Sequence, residues 1–160
     1  GGDWSKNRLI PDCIKMWLKN NTPEIRNPNS TRPWQHVLEA LSGYLDLSIK
    51  LNNDKSINGN SFNFSSDKIK NVTVLDFLNK IKLKWPEINW KVKKNNKFYE
   101  SSLLQLDTAK AKKILHWKAR LNINETIEFV VNWYENFRKD KNNTLAISRE
   151  QIIKFMKKKS

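Results

Sequence analysis

The stretch Arg26-Asn27-Pro28-Asn29-Ser30-Thr31-Arg32-Pro33-Trp34-Gln35-His36-Val37 decides how the chain is organised. Its first half is a turn, because Asn and Ser side chains bond their own backbone there and proline fixes φ. Its second half, Arg32 to Val37, reads as extended. A helix is expected from about Val37 to Leu51, with Val37, Leu41, Tyr44 and Leu45 on one face. Two arginines and a tryptophan therefore stand between an extended segment and a long helix, an arrangement suited to a phosphorylated ligand.

Working outward, a helix begins near Leu9, with Ile10, Ile14 and Trp17 at helical spacing and Pro11 in its first turn, where proline is tolerated. Glu24-Ile25-Arg26 reads as a short extended segment. On the other side, Ser61-Phe62-Asn63-Phe64-Ser65 alternates like a half-buried strand. Thr73 with Asp76 opens a helix carrying Val74, Phe77, Leu78 and Ile81. Short strands are expected at Asn89 to Lys93 and at Leu103 to Leu106. Asp107 opens a short helix, Asn122 with Glu125 opens a long one, and Ser148 with Gln151 opens the last. The result is an α+β, mostly helical chain. Its strands are too few and short to form a stable sheet, so the chain is expected to complete a larger one.

The chain has 160 residues, enough for one domain. Its formal charge of +14 invites a nucleic-acid reading. The lysines, however, are spread over nearly every segment beside many Asn and Ile, as a lysine-heavy codon bias would leave them. No nucleic-acid motif accompanies them, so nucleic acid is not expected as the main partner. No apolar run is long enough for a bilayer, no leader pattern opens the chain, and the single Cys13 cannot form an internal disulfide. A cytoplasmic, non-membrane protein is expected.

Reactive chemistry is absent from the motifs. The four glycines form no dinucleotide or P-loop pattern. One cysteine and two distant histidines give no metal cluster. Tyr44, Tyr99 and Tyr134 lack the lysine four positions on that a Tyr-x-x-x-Lys pair needs.

A wider set of residues carries a resemblance. Gly1-Gly2-Asp3-Trp4, Asn7-Arg8-Leu9-Ile10-Pro11-Asp12, the run from Ile25 to Glu39, Leu41-Ser42-Gly43-Tyr44-Leu45, Leu106 to Ala111, Leu115-His116-Trp117 and Trp133-Tyr134 are similar to the CDP-glucose 4,6-dehydratases. These belong to the NAD-dependent epimerase/dehydratase family, the extended short-chain dehydrogenase/reductases. The likeness continues to Leu145–Ile152 and so spans nearly the whole chain. Arg32-Pro33-Trp34-Gln35-His36-Val37 is its most specific part, since related enzymes carry Arg-Asp-aromatic there.

The resemblance implies the C-terminal portion of an extended Rossmann-type fold, lacking the dinucleotide-binding half. In such enzymes the other half holds NAD and the Tyr-x-x-x-Lys pair. No cofactor is expected in this chain, which by itself should be inactive. The reaction implied for the whole enzyme converts CDP-glucose to CDP-4-keto-6-deoxyglucose, a precursor of bacterial surface polysaccharide such as O-antigen. The whole enzyme is expected to be a homo-oligomer. Residues 1–140 would form the nucleotide-sugar region, and 141–160 a linker and final helix of the same domain.

Arg32 occupies the position of the family arginine on the diphosphate, and its guanidinium suits phosphate oxygens in any case. Arg8 matches a basic position before a helix start, where amides also favour anions, so Arg8 and Arg32 are expected to grip one pyrophosphate together, and Leu9 would line the nucleotide. Pro23, Ile25 and Arg26 lie where the family wraps the base, although an edge segment could be purely structural. Trp34 could be core or pocket wall, and His36 a ligand contact or a structural hydrogen-bonding group. Tyr99 and Glu100 fall at a late substrate-facing position; Tyr99 departs from the family histidine. His116 and Ala40 replace a usual glycine and proline at helix ends. Two alternatives remain open: a basic, non-catalytic module binding a protein or nucleic acid, and another sugar-nucleotide epimerase or dehydratase.

Overall fold

The computed structural model describes residues 2–69, 71–93 and 105–158. The described elements run α1 (Leu9–Trp17), β1 (Glu24–Ile25), α2 (Val37–Asn53), a 3₁₀ turn (Lys55–Ile57), α3 (Val74–Lys84), β2 (Lys91–Val92), α4 (Ala109–Leu115), α5 (Ile123–Lys139), a second 3₁₀ turn (Lys141–Asn143) and α6 (Thr144–Met156). Helices dominate, and β1 and β2 pair in parallel, Glu24 against Lys91 and Ile25 against Val92. Among the described residues no helix is long and apolar enough to cross a membrane.

Two helix starts are formed by reciprocal side-chain and backbone bonds. Thr73 and Asp76 make a capping box at α3, and Asn122 and Glu125 make one at α5. Each satisfies amide donors that the first helical turn leaves without intrahelical partners. α3 receives more. The N–H groups of Val74 and Leu75 donate to the carbonyls of Ser30 and Pro28, both at 2.9 Å. Thr31 bridges Thr73. The Trp34 indole donates to the Val72 carbonyl at 2.9 Å, and its ring stacks on Phe77 at 4.0 Å. The turn and extended run that opened the sequence reading are thus fastened to the start of α3.

The main core lies between α1, α3 and α5, with Ile14, Leu78, Ile81 and Ile127 almost fully buried. Cys13 is buried there, and burial pushes its thiol up to about 12. A second core gathers Ile57, Phe64, Ala111, Leu115 and Trp117 between α2 and α4. α6 packs along α5, where Gln151 donates to the Phe129 carbonyl at 2.7 Å. Lys158, in the basic tail, pairs with Glu125.

Some expectations change. Ser61–Ser65 is not a strand. Phe62 and Phe64 do point inward, but Asn63 reaches the Asp107 carbonyl with its side chain, and among the described residues the segment pairs with no strand. Gln105 and Leu106 are irregular, and Leu103 lies outside the described residues. The last helix begins at Thr144, four residues before Ser148, whose hydroxyl donates back to the Thr144 carbonyl and accepts from the Trp133 indole. Ser148 is therefore an internal tether and not a cap. His116 ends α4 in the left-handed region with φ 54°, where the family glycine would sit without strain.

The largest difference concerns α2. The face bearing Val37, Leu41, Tyr44 and Leu45 is exposed, and the opposite row is covered. On that covered row Gly43 meets Phe64, whose ring would lie 2.4 Å from an added Cβ. One turn earlier sits Glu39, only 1% exposed. One of its oxygens accepts the Arg120 and Leu121 N–H groups at 2.8 and 2.6 Å, and the other has no partner. Burial raises its carboxyl above the usual range, against the lowering effect of those two bonds. Glu39 thus fixes α2 to the segment that leads into α5.

Two outcomes follow for stability. Glu39→Ala should cost on the order of 3 kcal/mol in denaturant unfolding, because two amide donors lose their acceptor; a change within experimental error would refute this anchor. The second concerns His36, which caps α2 by accepting the Leu38 N–H on Nδ1 at 3.3 Å. Burial lowers its pKa from 6.5 to about 3. Between those values the unfolded chain takes up a proton that the folded chain refuses, so stability falls as pH drops through that window. His36→Asn, which retains a capping side chain, should flatten that part of the stability profile.

Candidate functional site

Two hollows contain the residues of interest. The first, about 290 Å³, is lined by Thr31, Arg32 and Pro33 on one side. Ser65, Ser66, Asp67 and Ile69 form its floor, and Gln105 to Ala109 with Lys112 close the far side. Arg32 is held there by the α3 attachment described above, and its guanidinium donates to the neighbouring Thr31 carbonyl at 2.8 Å. Lys112 reaches across to Asp67 at 2.7 Å.

Hydroxyls supply the polar lining. Ser65, Ser66 and Thr108 are all buried, at 8%, 6% and 8% exposure, and the Ser66 hydroxyl has no hydrogen-bond partner. A buried hydroxyl without a partner costs free energy unless something completes it. Asn71 stands at the rim in the left-handed region, φ 56°, and its side-chain oxygen accepts from Gln105 at 3.0 Å. A guanidinium, an ammonium and several hydroxyls around one concavity can receive a phosphate or a polar ring. Among the described residues no three His, Cys, Asp or Glu side chains are grouped so as to hold a metal ion.

The second hollow is larger, about 530 Å³, and mainly apolar. Arg8, Ile10, Pro11, Trp34, Gln35, His36, Phe77 and Thr126 are among its walls. It therefore brings together Arg8, Trp34 and His36. Arg32 lies in the other hollow, and neither hollow contains both arginines. The shared pyrophosphate grip expected of Arg8 and Arg32 is not formed by either hollow.

The remaining candidates are placed as follows. Leu9 begins α1 and packs against the main core. Pro23 and Ile25 are buried at the β1–β2 pair, where the Pro23 carbonyl accepts from Lys91 and that of Ile25 from Lys93, both at 2.9 Å. Arg26 is exposed just beyond. Trp34 is half-buried, with its indole N–H committed to Val72. His36 is 3% exposed and serves α2 as its cap. Tyr99 and Glu100 lie outside the described residues.

Sequence reasoning missed Ser65, Ser66, Asn71, Thr108 and Lys112. Asn71 left one trace, as an Asn two residues before a helix-capping threonine. Ser65 left none, because its segment reads as a strand, and Ser66 lies just past that segment.

No family model matches the chain. Two curated proteins are similar to it. It is 34% identical over 157 residues to the CDP-glucose 4,6-dehydratase of Salmonella typhimurium, a match covering 98% of this chain and 44% of that protein. It is 26% identical over 141 residues to the UDP-glucose 4-epimerase of Mycoplasma genitalium, covering 82% of the chain and 41% of that protein. The chain thus spans less than half the length of these relatives, and along nearly all of its own length it is similar to a sugar-nucleotide dehydratase and, over most of it, to a sugar-nucleotide epimerase.

Proposed function

We propose that this chain is the substrate-binding half of a CDP-glucose 4,6-dehydratase-like enzyme, and that the Arg32 hollow receives the nucleotide end of the sugar nucleotide. The reading is carried by one coincidence. The specific Arg32-to-Val37 run of the resemblance places its arginine in a concavity with a buried, uncompleted hydroxyl, Ser66. In this role Arg32 binds phosphate oxygens as a planar fork. The Ser66 hydroxyl donates to a ligand oxygen, and Lys112 stands in the same hollow as an ion pair with Asp67.

At about 290 Å³ the hollow sits at the small end of ligand pockets, roughly 300–1,000 Å³, and suits part of a sugar nucleotide. The rest of the ligand would lie against walls supplied by the remainder of the enzyme. Tyr99 and Glu100 are proposed to approach the same substrate.

NAD, when bound to the whole enzyme, supplies hydride acceptance and return. The described residues do not fit it. Gly43 is filled by the Phe64 ring, Gly59 faces open space, and Gly2 abuts Trp133, so none opens a phosphate-cradling turn before a helix. This chain therefore contributes binding and orientation, and alone it is expected to be inactive. Localisation in the cytoplasm fits the reading.

A second reading, a sugar nucleotide with another base, draws on the epimerase relative, which is named for a UDP sugar. CDP is preferred because the dehydratase match is stronger and longer.

An NMR titration of the chain with CDP tests both. Weak, millimolar binding is expected, with signals of Arg32, Ser65, Ser66 and Thr108 shifting together. Arg32→Ala should weaken it by about tenfold or more, as expected for a charge-assisted hydrogen bond. Stronger shifts with UDP would favour the second reading. Shifts spread over the surface, and salt-sensitive binding to oligonucleotides instead, would sink both in favour of a basic interaction module.

A further inference from the structure

The charges around the Arg32 hollow cancel. Among the described residues that line it, Arg32 and Lys112 are cationic, and Asp67 and Asp107 are anionic. Asp107 is engaged locally, its Oδ1 accepting the Ala109 N–H at 2.8 Å as α4 begins. Asp67 holds the Lys112 ammonium at 2.7 Å, so that cation is neutralised where it stands. Arg32 enters from the opposite wall. A pyrophosphate carries several negative charges, and a carboxylate beside it is unfavourable. The floor around Asp67 therefore suits a neutral part of the ligand, with phosphate confined to the Arg32 side.

That floor is matched to hydroxyl groups. A carboxylate accepts at about four positions, so the bond to Lys112 is compatible with further donors. Hydroxyl-to-carboxylate bonds are short and charge-assisted, roughly twice as strong as neutral ones. Directly before Asp67 in the chain, Ser66 is 6% exposed, and its hydroxyl is buried without a hydrogen-bond partner. A hydroxyl both donates and accepts. Leu106, 43% exposed, gives the wall an apolar surface that a ligand would cover. A vicinal diol fits this set. Its two hydroxyls donate to one carboxylate, its oxygens accept from Ser66, and its carbon face lies on Leu106. In a nucleotide the group of that description is the ribose 2′,3′-diol.

We infer that Asp67 and Ser66 hold the ribose diol of a nucleoside diphosphate, so that the hollow selects ribonucleotides over 2′-deoxyribonucleotides. This inference rests on the sugar-nucleotide reading above and names the part of the ligand that occupies the floor. The order along the hollow follows, with phosphate at Arg32 and ribose at Ser66 and Asp67. The hexose extends from the far phosphate and lies against the walls supplied by the remainder of the enzyme. The selectivity has a physical source. A 2′-deoxyribose has no hydroxyl to donate from C2′, and a site built to bond a hydroxyl rejects the analogue that lacks it.

The test is an NMR titration of the chain with CDP and with dCDP. The deoxy compound should bind about tenfold more weakly, the loss expected for one hydrogen bond to a charged group. Asp67→Asn keeps the shape of the side chain and removes its charge. In that variant CDP should weaken by about tenfold and dCDP by little, so that the preference disappears. Lys112→Met breaks the same ion pair and keeps the carboxylate, and there the preference should survive. Its loss in both variants would mean that the pair serves the shape of the loop, and would overturn the inference.

Equal affinity for CDP and dCDP, with Arg32→Ala still weakening both, overturns the ribose assignment and leaves the nucleotide reading standing. Absence of any Arg32-dependent binding removes both. CDP-glucose separates the two sugars of the ligand: if Asp67→Asn weakens CDP-glucose and not CDP, the carboxylate serves the hexose and the ribose assignment fails. Should Asp67→Asn lose the dispersed spectrum of a folded chain, the comparison of CDP with dCDP on the unaltered chain decides alone.

Discussion

The start of α3 is where this structure is decided. Helices begin with amide donors that their own carbonyls cannot reach. Here Thr73 and Asp76 take part of that demand, and the carbonyls of Pro28 and Ser30 take more. The second contribution comes from more than forty residues upstream, so one helix terminus fixes a distant turn. With the turn fixed, Thr31 meets Thr73, Trp34 stacks on Phe77, and Arg32 is held between them at the lip of a hollow. A cap in this setting is worth about 1 kcal/mol, but its larger effect is to fix the direction of the arginine.

What could be read from the sequence followed the same logic. Both capping boxes were legible, because Thr73-Asp76 and Asn122-Glu125 carry their partners three residues apart. The extents of α1, α2 and α5 followed from periodicity. Ser61–Ser65 misled because alternation records only which side chains are buried. Phe62 and Phe64 do turn inward, yet a strand needs a neighbour, and none lies beside it among the described residues. Ser148 misled in the opposite way, since a hydroxyl bonding a carbonyl four residues back looks in sequence like a hydroxyl capping a helix. The inward turn of Glu39 had no signal at all: a carboxylate on an amphipathic helix normally marks the wet side.

The site was legible only where one segment carried it. Arg32 stood out within a specific run. The rest of its hollow is drawn from two further loops and the first turn of α4, joined only by folding. Single-sequence reasoning has no access to such a constellation. It also overestimated the arginine pair. Arg8, at the start of α1, lines the hollow with Trp34 and His36 in its wall, while Arg32 lines the other.

Gly43 ties the two sides of α2 together. Its missing side chain lets the Phe64 ring lie against the helix backbone, and Phe64 directly precedes the serines that floor the Arg32 hollow. Close-packed interiors transmit displacement and do not absorb it. A single methyl group at that contact would wedge the ring outward and carry Ser65 and Ser66 with it, so that bulk added to the back of one helix reshapes a cavity to which that helix contributes no wall.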